Sequence, residues 1–174
     1  MAIQVFVADE QSDHPVDAEA WSRLARAVLG DRGVPSPAEL NVLFVDKEAI
    51  TSLNERFLHK PGPTDVLSFP IEDELDSPPP PPSGPPAGLA GPGREPLEGA
   101  VPYLVGDVVI CPAVAFENAP EHAGDYESEL ALLLVHGILH LTGMDHQAEQ
   151  EAEQMEALEQ ELLARHFGDP GRAR

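Results

Sequence analysis

Three of the chain's seven histidines fall within one run of eleven residues, His136-Gly-Ile-Leu-His140-Leu-Thr-Gly143-Met-Asp145-His146. This run restricts the fold more than any other feature. His136 and His140 share one face of an α-helix and stand roughly 6 Å apart along its axis. Two imidazoles so placed can reach one ion at ~2.0–2.1 Å. In a continuous helix His146 would lie about 240° further round and ~9 Å further along, out of reach. The helix must therefore stop first. Gly143 is the stop, because glycine adopts the left-handed C′ conformation without a steric penalty. The chain can then turn and bring His146 beneath the other two. Asp145 stands either as an orienting partner for a ligand or a water, or as a turn residue.

Three protein ligands leave a fourth position open, which is the pattern of a catalytic zinc rather than a structural one. Imidazole also suits copper, nickel and iron, so the spacing alone does not fix the metal. Zinc, one per chain, is the expectation. Metzincin proteases use the same spacing with a glutamate after the first histidine as general base. That position is Gly137 here, which disfavours peptide hydrolysis by that route.

The histidines ride on a segment, Leu130 to Leu141, that is apolar on nearly every side. Such a helix belongs in the centre of a domain. Asp125 is placed to cap it, with Glu127 and Glu129 in a first turn that favours negative charge. Around it, Ile3–Val7, Leu40–Val45, Val66–Phe69 and Leu104–Ile110 read as strands. Val16–Leu29, Lys47–Leu58, Pro112–Glu121 and about 147–166 read as helices. In the last of these, Ala152, Met155, Leu158 and Leu162 form the core stripe and the acidic residues a solvated face. Gly106 lies inside the fourth strand, where glycine marks a bulge or a close approach. The expected fold is α+β: a single domain over 1–174, with a mixed four-stranded sheet, a buried central helix and surrounding helices. Between about 72 and 102 a proline-rich stretch, including Pro78 to Pro82 in a row, cannot bury a core and reads as a disordered or polyproline-II insertion.

A net charge of −21 argues against a general polyanion binder, though not against a local basic groove. Cys111, the single cysteine, excludes an intrachain disulfide and a cysteine metal cluster and reads as a buried apolar residue. The N-terminus lacks the basic start and apolar core of a signal peptide, and no apolar run is long enough to span a bilayer. A cytoplasmic location with no membrane partner is expected.

The run His136-Gly-x-Leu139-His140-Leu-x-Gly143-x-Asp145-His146 resembles the signature of the YbeY family, bacterial endoribonucleases and rRNA maturation factors. Pro63-Thr64-Asp65-Val66-Leu67-Ser68-Phe69-Pro70 and Gly106-Asp107-Val-Val-Ile110-Cys111 are similar to two further motifs of that family, in the same order. The resemblance implies zinc held by His136, His140 and His146. It also implies a cytoplasmic role in 16S ribosomal RNA maturation and ribosome quality control, with single-strand-specific endoribonuclease activity. The implied partners are ribosomal RNA, small-subunit proteins and a ribosome-associated GTPase. Thr64, Asp65 and Ser68 are candidate cleft residues. Many members carry an arginine where this chain has Leu58. Arg56 and Lys60 are candidates to compensate, against a reading as ordinary surface charges, and His59 is a weaker one. A non-catalytic ribosome assembly factor with a structural metal, or a metallohydrolase for another substrate, are the alternatives.

Overall fold

A computed structural model describes residues 3–70, 103–143 and 149–167. The proline-rich stretch at 72–102, together with Asp145 and His146, lies outside the described residues.

The four strands are β1 (Ile3–Asp9), β2 (Ala38–Phe44), β3 (Val66–Phe69) and β4 (Tyr103–Ile110), in the order β1-β2-β4-β3. β1 and β4 run parallel to β2, and β3 runs antiparallel to β4. The sheet is therefore mixed, as expected. β2 sits in its middle, and its alternation shows why. Ala38, Leu40, Val42 and Phe44 are fully buried, while the residues between them point to the other face.

The helices are α1 (Ala18–Asp31), α2 (Lys47–Leu58), α3 (Pro112–Asn118), α4 (Tyr126–Leu141) and α5 (Glu149–His166), with a 3-10 turn at Ala119–Glu121. α1 begins two residues later than the pattern suggested. Its N-cap is Asp17, whose carboxylate accepts from the Ala20 amide at 3.1 Å. Asp46 and Asp125 cap α2 and α4 in the same way, each at 2.8 Å. The Pro112–Glu121 helix is shorter than expected, with only the 3-10 turn beyond Asn118.

α4 is the centre of the molecule. It packs against β3, β4, α1, α3 and α5. Leu134, Val135, Ile138 and Leu139 on it are fully buried. α2 and a smaller cluster of Val45, Ile50, Leu67, Val109 and Cys111 cover the other face of the sheet. Burial pushes the Cys111 thiol above its ordinary range, as befits an inert apolar residue.

Two glycines set how closely α4 and the sheet approach. Gly106 has φ +137°, and a Cβ there would stand 2.6 Å from the Phe69 carbonyl and 3.0 Å from the Leu141 side chain. The β2–β4 register shifts beside it, so both a bulge and a close approach occur at this residue. Gly137 faces the sheet, where a Cβ would meet Val108 at 2.8 Å and the Ser68 hydroxyl at 3.2 Å. A glutamate could not occupy that position without displacing β4.

Candidate metal centre and cleft

Of α4's residues from Ala131 to His140, only Leu132, His136 and His140 are partly exposed; the rest are buried. The spacing of four gives this helix one narrow open line, and the two histidines lie on it. Their Nε2 atoms converge to 3.1 Å and their ring centroids to 4.6 Å. Two nitrogens bound to one tetrahedral ion stand about 3.3–3.4 Å apart, so the pair has nearly the spacing of two ligands on a common metal. Behind His136, its Nδ1 lies 2.5 Å from Oε2 of Glu159 on α5. Glu159 is 7% exposed. A histidine ligand commonly uses its second nitrogen in this way, to a carboxylate that sets the tautomer and the ring angle. The donor set therefore fits a metal. Among the described residues there is no cluster of three potential ligands; the third histidine of the motif, His146, is not among them.

α4 ends as the motif requires. Thr142 is the C-cap, and Gly143 follows with φ +102°. Arg32, just past α1, donates to the Thr142 hydroxyl at 3.1 Å and to its carbonyl at 3.5 Å. That contact satisfies a helix-end carbonyl and steadies the turn.

His136 stands where two cavities meet. One, of 420 Å³, is shared with His140 and lined by Lys60, Thr64, Asp65 and Ser68. These are four of the five cleft candidates. Leu58 lines it as well. Arg56 is elsewhere: it is exposed, with its guanidinium 5.5 Å from the Phe57 ring centroid. Phe57 is itself 52% exposed, set edge-on to Phe69. His59 takes the left-handed C-cap of α2 and does not line the cavity. Asn54 braces this rim, its side-chain amide donating to the Gly62 carbonyl at 3.0 Å and its own carbonyl accepting from Lys60 N–H at 3.3 Å. Asp65 uses one oxygen to accept from the Val66 amide at 2.8 Å, and Ser68 donates to the Gly137 carbonyl at 3.3 Å. The Ser68 bond thus ties β3 to α4, whereas the Asp65 bond is local to the start of β3. The second cavity shares Asp65, Val66 and His136 with the first and extends to His122.

Two buried acids were not singled out from the sequence. The acidic pattern of α5 reads as a solvated face, yet Glu159 stands four residues after Met155 and three before Leu162. Those spacings put it on the core stripe, and a carboxylate in that position was the missed signal. Glu129 was expected only to favour the α4 dipole. It is fully buried, its two oxygens 2.9 and 2.8 Å from His122 Nδ1.

The fold and site define an α+β protein with a paired-histidine centre at the junction of two cavities. The model of the endoribonuclease YbeY family matches residues 6–166. Curated endoribonucleases YbeY from Acidothermus cellulolyticus and Thermobifida fusca are 45% and 43% identical to this chain. The alignments cover 98% of this chain and 99% of the first relative, and 93% of this chain and 93% of the second. The chain belongs to the endoribonuclease YbeY family. The solution structure of TM1509 from Thermotoga maritima shares its fold at TM-score 0.53 and 23% identity, covering 97% of this chain and 99% of that one. No helix among the described residues is long and apolar enough to cross a membrane.

Proposed function

We propose that this protein is a metal-dependent, single-strand-specific endoribonuclease that acts in the maturation of 16S ribosomal RNA. Family membership supports the nuclease reading. The convergence of the His136 and His140 Nε2 atoms to 3.1 Å, with Glu159 behind His136, is the observation that carries the metal dependence. His136, His140 and His146 would hold zinc. Bound there, zinc would supply Lewis acidity and a water with its pKa lowered to about 7.

The chain's own residues do the rest. Glu159 fixes the His136 ring. Lys60 is the cation beside the paired histidines and offers an ammonium to a substrate phosphate. Leu58 contributes an apolar wall, so the phosphate clamp falls to Lys60 and to whatever partner is present. A net charge of −21 makes unaided RNA capture weak. It favours action on a pre-ribosomal particle, beside basic small-subunit proteins; a ribosome-associated GTPase partner, a cytoplasmic location and a part in ribosome quality control rest on the family resemblance alone. The same charge favours one rival, a non-catalytic assembly factor with a bound metal.

Metal content measured by mass spectrometry, alongside RNA cleavage before and after chelation, separates the two. About one zinc per chain with cleavage lost on chelation and restored by metal is the expected result. Retained zinc without cleavage establishes the assembly factor. Absence of metal from the purified protein removes the metal-dependent reading.

A further inference from the structure

The cavity that runs from His136 to His122 measures 620 Å³, within the ~300–1,000 Å³ range of small-molecule pockets. Its chemistry differs from that of the Lys60 side. Glu156 and Glu159 line it, together with Asp65, which the two cavities share, and among the described residues no lysine or arginine does. A phosphate would meet like charge there. Val66 and Leu132 supply apolar wall, and Leu132 lies one turn before His136 on the open line of α4.

At the far end stands His122, held in an unusual way. Its Nδ1 lies 2.8 and 2.9 Å from the two oxygens of Glu129, while the Ala123 amide donates to the same carboxylate at 3.1 Å. Glu129 is wholly buried, yet the His122 side chain is 56% exposed. The carboxylate holds the Nδ1 edge of the ring, which leaves Nε2 as its second hydrogen-bonding atom. Glu129 precedes His136 by seven residues, about two turns or ~10 Å, on the same helix face. A chain lying across the metal centre would bring a neighbouring nucleotide to this point.

We propose that this cavity is a nucleoside pocket. It takes the sugar and base of the nucleotide adjoining the scissile phosphate and recognises their hydrogen-bond donors through the carboxylates that line it, with His122 Nε2 as a further polar contact. The RNA backbone runs along the Lys60 side. This rests on the RNA-cleaving reading above. Two donors share the required chemistry: the ribose 2′-hydroxyl and the amino or imino groups of the base.

The test uses the metal-loaded full chain and a single-stranded oligoribonucleotide with a mapped cut. Each neighbour of the cut is made abasic, then 2′-deoxy, in turn. The variants are His122→Asn, which keeps an N–H toward Glu129 but removes the Nε2 end, and Leu132→Trp, which fills the cavity. At one neighbour, a modification should lower wild-type kcat/KM about tenfold, mainly through KM. A loss on abasic substitution names the base; a loss on 2′-deoxy substitution names the sugar. Both variants should lose about as much, with unchanged metal content, and the modification should then cost little more. If Leu132→Trp loses its fold, His122→Asn decides. Modifications without effect, variants that cleave like wild type, or fully additive losses overturn the pocket and leave the nuclease. A metal-loaded wild-type protein that cleaves no RNA overturns both.

Discussion

Nδ1 of His136 on α4 lies 2.5 Å from Oε2 of Glu159 on α5, so the ring that faces His140 is held from behind by an almost buried acid. Glu159→Ala should weaken zinc binding about 10–100-fold, with Glu159→Gln in between because it keeps an acceptor but loses the charge. Competition against a chromophoric chelator measures this directly. Wild-type affinity in the alanine variant would show that α5 plays no part in holding the metal.

His140→Ala removes one of the two converging nitrogens and leaves His136 on its carboxylate. Zinc retention and RNA cleavage should be lost together. Full cleavage by metal-free His140→Ala protein would contradict a metal-dependent mechanism.

Substitution at Gly106 and Gly137 tests how tightly the site's scaffold is built. Gly106→Ala puts a Cβ 2.6 Å from a backbone carbonyl at φ +137°, and should cost about 2–3 kcal/mol or more. Gly137→Ala meets the Val108 side chain at 2.8 Å and should cost about 1–3 kcal/mol. Gly137→Glu, which writes the protease motif into the sequence, should unfold the protein rather than create a peptidase. Urea unfolding midpoints check all three.

Asp31 joins the ends of α1 and α5, accepting from Arg165 at 2.7 Å, with His166 Nε2 also at 2.7 Å. These partners hold its carboxyl below the usual carboxylate range, the His166 hydrogen bond being the larger cause. A depressed folded pKa contributes stability that is present above the ordinary value near 3.8. That stability fades as pH falls through the lower folded value. Asp31→Asn should therefore lower the melting temperature slightly at neutral pH, less so in high salt, and converge with wild type in strong acid. Equal differences at all pH values would assign the effect to packing instead.

Much of the architecture was legible because its signals are local. Asp125 caps α4 as its position suggests; Asp17 and Asp46 cap α1 and α2 by the same local chemistry but are not singled out in the pattern, and α1 starts two residues late because Val16 continues the apolar spacing. Gly106 announced its bulge. Met155 and Leu162 marked the buried side of α5. Phe57 shares the helical spacing of Ile50 and Asn54, yet its ring is half exposed and its contact with Phe69 ties it to the sheet.

Within the cleft, Thr64, Asp65 and Ser68, named by motif, lie together with Lys60, named for its nearness to Leu58, whereas Arg56 turns outward over Phe57. Proximity in sequence could not separate Arg56 from Lys60. The left-handed turn at His59 did, by sending the chain back toward Asn54.

By itself the sequence determined the helix, its two histidines and its stop, because periodicity, capping and the left-handed freedom of Gly143 act over a few neighbouring residues. Only the tertiary structure decided which acids serve the site. Glu159 is twenty-three residues from His136, and it reaches Nδ1 because α5 packs on α4. His122 is likewise fixed by Glu129 across the turn that opens α4. A carboxylate's partner and its exposure are properties of packing, and no local pattern encodes them.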